Sequence, residues 1–337
     1  MLETMHDENS LIRKIRRELQ ARSGSRSSPL RLGIGDDAAL WQPISGRDLI
    51  LTCDWFIETV HFRRDLHPPD SIGWKCLARA LSDVAAMAAT PRCFLLSLAI
   101  PQSHCGKWLD NFLSGLRRAS QTFGCAPAGG DTTRSSKILI SVTVIGEVKT
   151  RKALLRSGAR PGDLICVSGR LGEAQLGLEL LLRRKSAARS SITAIEKHLY
   201  PAPRLELARQ LATRKLPTSL MDLSDGLSLD LRRLCDASSV GAVIEEEKLP
   251  LPNAVGEHSS RAIRLQAALH GGDDYELLFT VPKRKLRHLP SALAGAPLTV
   301  IGEVRAGSRI VLLKSSGRRS PLESAGWDPF RGSAKGS

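Results

Sequence analysis

The sequence predicts two α/β or α+β domains meeting near residue 150, and three observations carry that reading. The chain has 337 residues, about two domains at roughly 150 residues each. Strand-length apolar runs alternate with stretches of helical apolar periodicity. A turn-rich stretch from Arg156 to Asp163, holding Gly158, Pro161 and Gly162, separates two such sets.

Taken in order, residues 10–20 read as a short amphipathic helix, followed by a Ser/Arg/Gly-rich loop from Arg22 to Ser28. Strands are expected at Leu49 to Cys53, Cys93 to Ile100 and Ile138 to Val148, with helices at Ser71 to Ala89 and Trp108 to Phe123 between them. Beyond the boundary come a strand at Leu164 to Ser168 and helices near Glu173 to Arg184, Arg204 to Arg214 and Leu227 to Ala237. Strands at Glu276 to Val281 and Leu298 to Val304 complete the set. The expected division is 1–29 as N-terminal helix and loop, 30–150 and 151–330 as the two domains, and 331–337 as a small polar tail.

Hydrophobic residues at 42% and charged residues at 25% are ordinary for a globular chain and exclude wholesale disorder. No apolar run approaches the ~20 residues of a membrane-spanning helix. The first residues are acidic and polar (Glu3, Asp7, Glu8), without an apolar signal core. The seven cysteines stand singly with no C-x-x-C pair, which argues against a disulfide framework and a zinc site. A soluble, cytoplasmic protein is the expectation. Lys+Arg 49 against Asp+Glu 34 leaves a net charge of +15. That excess could serve nucleic acid, but it is spread along the chain, and aromatics at 4% offer few stacking platforms. A basic solvated surface that attracts anionic small substrates is the favoured reading.

The chemistry is expected where aspartates sit in Gly-, Ala- and Ser-rich surroundings. These segments are Gly33-Ile-Gly-Asp-Asp-Ala-Ala39, Leu51-Thr-Cys-Asp54, Leu81-Ser-Asp83, Gly129-Gly-Asp-Thr-Thr-Arg-Ser135, Asp222-Leu-Ser-Asp-Gly226 and Gly271-Gly-Asp-Asp-Tyr-Glu276. Leu-Ser-Asp and Gly-Gly-Asp each recur 142 residues later, Asp83 to Asp225 and Asp131 to Asp273, words too short to establish duplication. Glycine lets a backbone approach a ligand, and a following carboxylate can enter the same space. Asp83, on a helical stripe with Cys76, Ala80 and Met87, would be costly as a bare buried charge. For one aspartate, a buried pair or a cap explains as much as function does. Six such segments favour convergence on hard cations, Mg²⁺ or Mn²⁺, in a single cage. The G-x-G-x-x-A match at Gly33 is set aside as a dinucleotide fingerprint. Two carboxylates would face the pyrophosphate, and Pro43 with Ser45-Gly46 cuts off the required helix. There is no G-x-x-x-x-G-K-[ST] loop either.

The segments Gly-Ile-Gly-Asp-Asp-Ala-Ala, Gly-Gly-Asp-Thr-Thr-Arg-Ser, Arg156-Ser-Gly-Ala-Arg-Pro-Gly-Asp163 and Asp-Leu-Ser-Asp-Gly resemble those of the thiamine-monophosphate kinase family. That family lies in the superfamily of aminoimidazole-ribotide synthetase and selenophosphate synthetase. The resemblance runs in order from about residue 30 to Trp327. It implies an ATP-dependent kinase converting thiamine monophosphate to thiamine diphosphate with Mg²⁺. It also implies a homodimer whose N-terminal domains share a β-barrel, with a C-terminal α/β sandwich. Carried over by motif, the metal positions are Asp37, Thr52, Cys53, Asp54, Asp83, Asp131, Asp222 and Asp225. Gly130, Asp131, Arg156 and Ser224 would contact ATP; His61, Asp273 and Trp327 the thiamine substrate; Asp131, Asp225 and Arg156 would be catalytic. No nucleic acid or membrane partner is implied. Cys53 stands where the family has Thr or Ser, so a ligand is kept only if the backbone carbonyl serves. Asp273 replaces Glu at a substrate-facing position, one methylene short.

A phosphomonoester acceptor, with a second pKa near ~6, is already mostly dianionic at neutral pH, so direct transfer without a general base or a phosphoenzyme is expected. Plainer readings stand beside several residues. Arg134 could tie down its own loop, His61 could be a satisfied histidine at a strand end, and Trp327 a core plug. Ser224 and Asp225 could cap the helix from Leu227. Two alternatives complete the reading: another ATP-using enzyme of the superfamily, and a basic RNA-binding protein on this scaffold. For selenophosphate synthesis, nothing before Gly33 supplies the reactive Cys.

Overall fold

The computed structural model describes residues 8–19, 30–32, 40–183, 189–253 and 260–330. The segment Gly33 to Ala39, with Asp37, and the 331–337 tail lie outside them, as does the loop from Arg22 to Ser28. The chain forms two compact units. The first takes the residues up to Val84 together with Ala88–Ala153, and the second Ala85–Met87 and everything from Leu154 on.

The first unit runs α1 (Glu8–Leu19), β1 (Leu30–Leu32), β2 (Leu40–Trp41), β3 (Arg47–Ile57), α2 (Pro69–Ala86), β4 (Thr90–Ile100), α3 (Lys107–Phe123), β5 (Ala126–Arg134) and β6 (Leu139–Lys149). α2 opens with Pro69 and Asp70, a residue pair suited to a first turn, where amides lack partners and the helix dipole favours an acid. Its buried stripe is Ile72, Cys76, Leu77, Ala80, Leu81 and Val84. α3 buries Leu109, Phe112, Leu113 and Leu116 and stops at Gly124, whose left-handed backbone (φ 65°) returns its amide to the Ser120 carbonyl. The sheet order is β3-β6-β4-β5, with only the β4–β5 pair parallel. It is an open sheet, and no closed barrel forms among the described residues of the single chain. The run carrying Arg134 is the edge strand β5 rather than a loop, because its glycines permit close strand pairing.

The second unit runs β7 (Asp163–Ser168), α4 (Glu173–Leu182), α5 (Arg189–Leu199), α6 (Leu205–Thr213), β8 (Ser219–Leu223), α7 (Leu227–Ser238), β9 (Gly241–Glu245), α8 (Arg261–His270), β10 (Glu276–Pro282), β11 (Ala292–Leu293), β12 (Ala296–Arg305), β13 (Ile310–Leu313) and β14 (Arg319–Pro321). One sheet orders them β14-β13-β9-β12-β7-β10-β8, with β11 on β12. The β13–β9 pair is parallel; the other pairs are antiparallel. Leu227, Leu231 and Leu234 of α7 pack with Met221, Leu223 and Leu278 into one core. This burial presses the start of α7 against the C-terminal end of β8, and so shapes the turn between them.

Candidate functional site

In the first unit, the side chain of Thr52 on β3 donates from Oγ1 to Asp83 Oδ2 on α2 at 2.5 Å. Two oxygen donors from different elements are thereby brought together. Asp54 follows Thr52 on the same face, since strand side chains alternate. Cys53 projects from the opposite face, where its Sγ lies 3.3 Å from Ser141 Oγ of β6. An ion held by Thr52 and Asp83 could therefore meet Cys53 only through its backbone.

Asp131 is exposed on edge strand β5. It is in register with Ser97, Ser141 and Trp55 across the sheet, whereas Asp54 belongs to the adjoining row of Val142, Leu96 and Gly130. Alternation sets Asp131 on the face of Cys53 and Trp55, away from Thr52 and Asp54. Gly130 is required by space: a Cβ there would lie 1.9 Å from the Leu96 carbonyl oxygen. His61 follows β3 in a turn, accepting from the Ile57 amide on Nδ1 at 3.0 Å, with its ring 5.9 Å from Phe56. That is the geometry of a strand-end histidine.

The second unit builds a denser arrangement around the β8–α7 turn. Asp222 is buried on β8, opposite Leu277 of β10. The amides of Ser224 and Asp225 both donate to Asp230 Oδ2, at 3.1 and 2.9 Å. Arg233 Nη1 donates to Asp230 Oδ1 at 2.8 Å and to Asp225 Oδ2 at 2.5 Å. Burial pushes the Asp230 carboxyl up to about 6; the Asp225 amide and Arg233 pull it back and the Asp225 charge adds to the rise. Capping by Ser224 or Asp225 does not occur. Gly226 precedes α7 without a side-chain cap, and Asp230 reaches back from the first turn instead. Gly226 itself has φ 105°, and a Cβ there would lie 2.8 Å from the His270 carbonyl.

The Gly271–Glu276 motif is stitched onto this turn by backbone bonds, Asp273 amide to Ser224 carbonyl and Tyr275 amide to Leu223 carbonyl, each 2.8 Å. Asp273 adopts φ 67°, accepts from the Tyr275 hydroxyl at 2.7 Å, and has His198 Nδ1 3.8 Å from its other oxygen. Asp274 accepts the Gly172 and Ala174 amides at 2.6 and 3.3 Å, capping α4. Burial of its carboxyl pushes it well above the usual carboxylate range despite those two bonds. Glu276 is clasped by both Nε and Nη2 of Arg204 and accepts from Ser168 Oγ at 2.5 Å. The Trp327 amide donates to the Asp225 carbonyl at 2.9 Å, which seats the C-terminal segment on the same turn. Arg156 is exposed, its carbonyl accepting from Ser238 Oγ at 3.0 Å.

Of the positions singled out in the sequence, the structure thus joins Thr52 with Asp83, and Ser224, Asp225, Asp273 and Trp327 with one another. It separates Cys53 and Asp131 from Thr52 and Asp54. Among the described residues, no three His, Cys, Asp or Glu side chains converge to hold a metal. The expected single cage is thus not formed by those residues within either unit. The donors themselves suit a hard cation. Thr52 Oγ1 and Asp83 Oδ2 are paired oxygens, and the nearby thiol faces away, which fits Mg²⁺ rather than a softer ion. Asp230, Arg233, His198, Tyr275 and Arg204 were not foreseen as part of this arrangement. A lone acid at Asp230, set between Leu229 and Leu231, was the available signal.

The sequence matches the AIR synthase related protein family, its N-terminal domain over residues 35–148 and its C-terminal domain over 160–315. It is 38% identical over 311 residues to the thiamine-monophosphate kinase of Escherichia coli (strain K12), covering 90% of this chain and 94% of the relative. The crystal structure of thiamine-monophosphate kinase from Stenotrophomonas maltophilia K279a superposes with a TM-score of 0.79 at 34% identity, over 90% of this chain and 95% of that one. AaThiL complexed with AMPPCP and TMP superposes with a TM-score of 0.74 at 33% identity, over 95% and 96%.

Proposed function

We infer the reaction from membership: the chain belongs to the AIR-synthase-related family and, within it, to the thiamine-monophosphate kinases, and it phosphorylates thiamine monophosphate to thiamine diphosphate at the expense of ATP. The observation that carries this is identity of 38% across 90% of the chain with a kinase of that name. A relative binding AMPPCP together with TMP supports ATP and thiamine monophosphate as the substrate pair.

The acceptor is a phosphate oxygen that is mostly deprotonated at neutral pH, its second pKa being near ~6. A base is unnecessary, which agrees with His61 being engaged by its own turn. The obstacle is repulsion between the acceptor dianion and the γ-phosphate. Mg²⁺, held by the oxygen donors assigned below, would supply positive charge that offsets this repulsion. We assign to Mg²⁺ the donors Thr52, Asp54 and Asp83, the separate edge-strand carboxylate Asp131, and Asp222 and Asp225 of the second unit, with Asp37 outside the described residues. Cys53 contributes to this set through its backbone carbonyl alone.

Gly130, Asp131, Arg156 and Ser224 are assigned to ATP. Gly130 brings β5 close to β4, and the exposed Arg156 guanidinium adds positive charge for phosphate. His61, Asp273 and Trp327 are assigned to the thiamine substrate. Asp273 and Trp327 are anchored to one turn through Ser224 and Asp225, which supports a shared substrate role. Transfer is direct and in line.

We further propose a cytoplasmic homodimer. Leu49, Leu51 and Trp55, with exposures of 42%, 68% and 55%, form an apolar row on edge strand β3, and such an edge is normally covered. Incubation with ATP, Mg²⁺ and thiamine monophosphate, followed by oxidation and fluorescent detection of thiamine diphosphate, tests the reaction. Product is expected, and its absence with folded protein rejects the reading. Asp131→Asn is expected to abolish turnover with the fold intact; a near-normal rate removes Asp131 from the metal set.

A further inference from the structure

The turn that carries Ser224 and Asp225 has no internal support. Gly226 is left-handed, and no cap side chain closes the start of α7. Its two leading amides are both held by one carboxylate from below. Asp230, 0% exposed, receives both turn amides on Oδ2 and Arg233 on Oδ1. The same Arg233 nitrogen holds Asp225 Oδ2, so Asp225 is fixed at both its backbone and its carboxylate. The Asp225 carbonyl meanwhile receives Trp327, and the Ser224 carbonyl receives Asp273. Any movement of the turn would therefore pass to both substrate-assigned side chains.

We propose that Asp230 and Arg233 are positioning residues: a buried brace that sets the orientation of Asp225 and, through the same turn, the placement of Trp327 and Asp273. Neither residue touches a reactant. Asp230 fixes where the turn amides and carbonyls point, and Arg233 selects which Asp225 oxygen is turned inward. Arg233 also supplies the countercharge that two neighbouring carboxylates need in order to lie side by side. The brace deepens the kinase reading and rests on it for its effect on turnover, but its effect on the turn does not.

Four variants test it, each read two ways. Asp230→Asn keeps an acceptor for the two amides and turns an NH₂ group toward Arg233; Asp230→Ala removes both links. Arg233→Met removes the bridge but leaves the buried Asp230 without its countercharge, so its kinetics are normalised to folded protein, and Arg233→Lys returns a charge and a donor. The first readout is amide hydrogen exchange at Ser224 and Asp225 in the metal-free protein, which is independent of any kinase activity. Each hydrogen bond lost is expected to raise exchange by roughly tenfold, so Asp230→Ala exceeds Asp230→Asn. The second is steady-state kinetics with thiamine monophosphate. Arg233→Met is expected to lower kcat by about tenfold while its KM for thiamine monophosphate stays within about twofold, and Arg233→Lys to recover most of the loss. A merely structural role would lower the unfolding temperature and leave kcat per folded molecule unchanged. Folded Asp230→Ala with wild-type exchange, or folded Arg233→Met with wild-type kcat, would overturn the brace. If the wild-type protein itself makes no thiamine diphosphate, the reaction assignment fails and the exchange series still decides the brace.

Discussion

Arg204→Met is the substitution whose cost follows most directly from the geometry. Arg204 closes the Tyr200-Pro-Ala-Pro-Arg204 segment ahead of α6 and grips both oxygens of Glu276 with Nε and Nη2. Burial pulls its guanidinium down, but the hydrogen bonds and charge of Glu276 outweigh that and raise it. Glu276 side-chain exposure is 3% against 20% for Arg204, so the carboxylate is the member that cannot recover water when its partner goes. Stranding a buried charge costs about 3–5 kcal/mol. Ser168 Oγ remains as a donor at 2.5 Å, which places the expected loss near the lower end, about 3 kcal/mol. At roughly 2–4 °C per kcal/mol for a unit of this size, the melting point should fall by about 6–12 °C. Glu276→Gln in the same background removes the stranded charge and leaves an acceptor for Ser168, so the double variant should regain about 2 kcal/mol. Urea denaturation of the wild type, both singles and the double gives the coupling. A single-variant loss below about 1 kcal/mol, or no recovery in the double, would show that the pair is not the buried clasp described.

Three further outcomes are expected. Gly130→Ala places a methyl 1.9 Å from the Leu96 carbonyl in a strand hydrogen-bonded on both sides; overpacking should cost about 2–3 kcal/mol in urea, and an unchanged midpoint would refute the contact. Cys53 is the exposed cysteine of the seven, while burial pushes Cys76 and Cys166 up to about 12. Thiol titration with a disulfide reagent should therefore find one fast group in native protein; two or more fast groups contradict the burial pattern. For Asp274, burial raises the folded carboxyl above its unfolded value near ~3.9. Its contribution is complete below that value and is lost as pH rises toward the folded one. Wild-type stability relative to Asp274→Asn should thus decline between pH ~4 and neutrality in chemical denaturation; a pH-independent difference argues against this.

The parts of the fold that were legible are those where one periodicity dominates. α2 and α3 repeat apolar residues at three and four positions, and β4 and β6 are 11-residue strands rich in apolar side chains. β8 was not foreseen because it is five residues long, buried throughout, and holds Asp222, which reads as motif rather than strand. β5 was hidden by Gly129 and Gly130, residues that weaken a strand by propensity yet are demanded here by the nearness of β4. The opposed facing of Cys53 and Thr52 was available in the alternation of β3, since neighbouring strand residues always part. For Asp230 the sequence marks only a lone acid between Leu229 and Leu231; its partners depend on a turn that curls back over it, which no local pattern records. Trp327 lies about a hundred positions from Asp225, and only the family resemblance linked the two before the backbone bond was seen.

The candidate-site acids named above have different partners in the two units, and this bears on where a cation would be needed. In the second unit the acids already have protein partners. Asp225 and Asp230 share Arg233, Asp273 lies between Tyr275 and His198, and Glu276 is held by Arg204. Their placement is set before any ligand arrives, at the cost of desolvated charge that only satisfied hydrogen bonds can repay. In the first unit Asp83 meets a neutral hydroxyl from Thr52, and Asp131 stands exposed on an edge strand. A hydroxyl brings no countercharge, so under the proposed Mg²⁺ assignment a bound cation would be called on more in the first unit than beside Arg233. On this division, neutralising Asp83 should weaken divalent-ion binding more than neutralising Asp225, whose charge Arg233 already offsets.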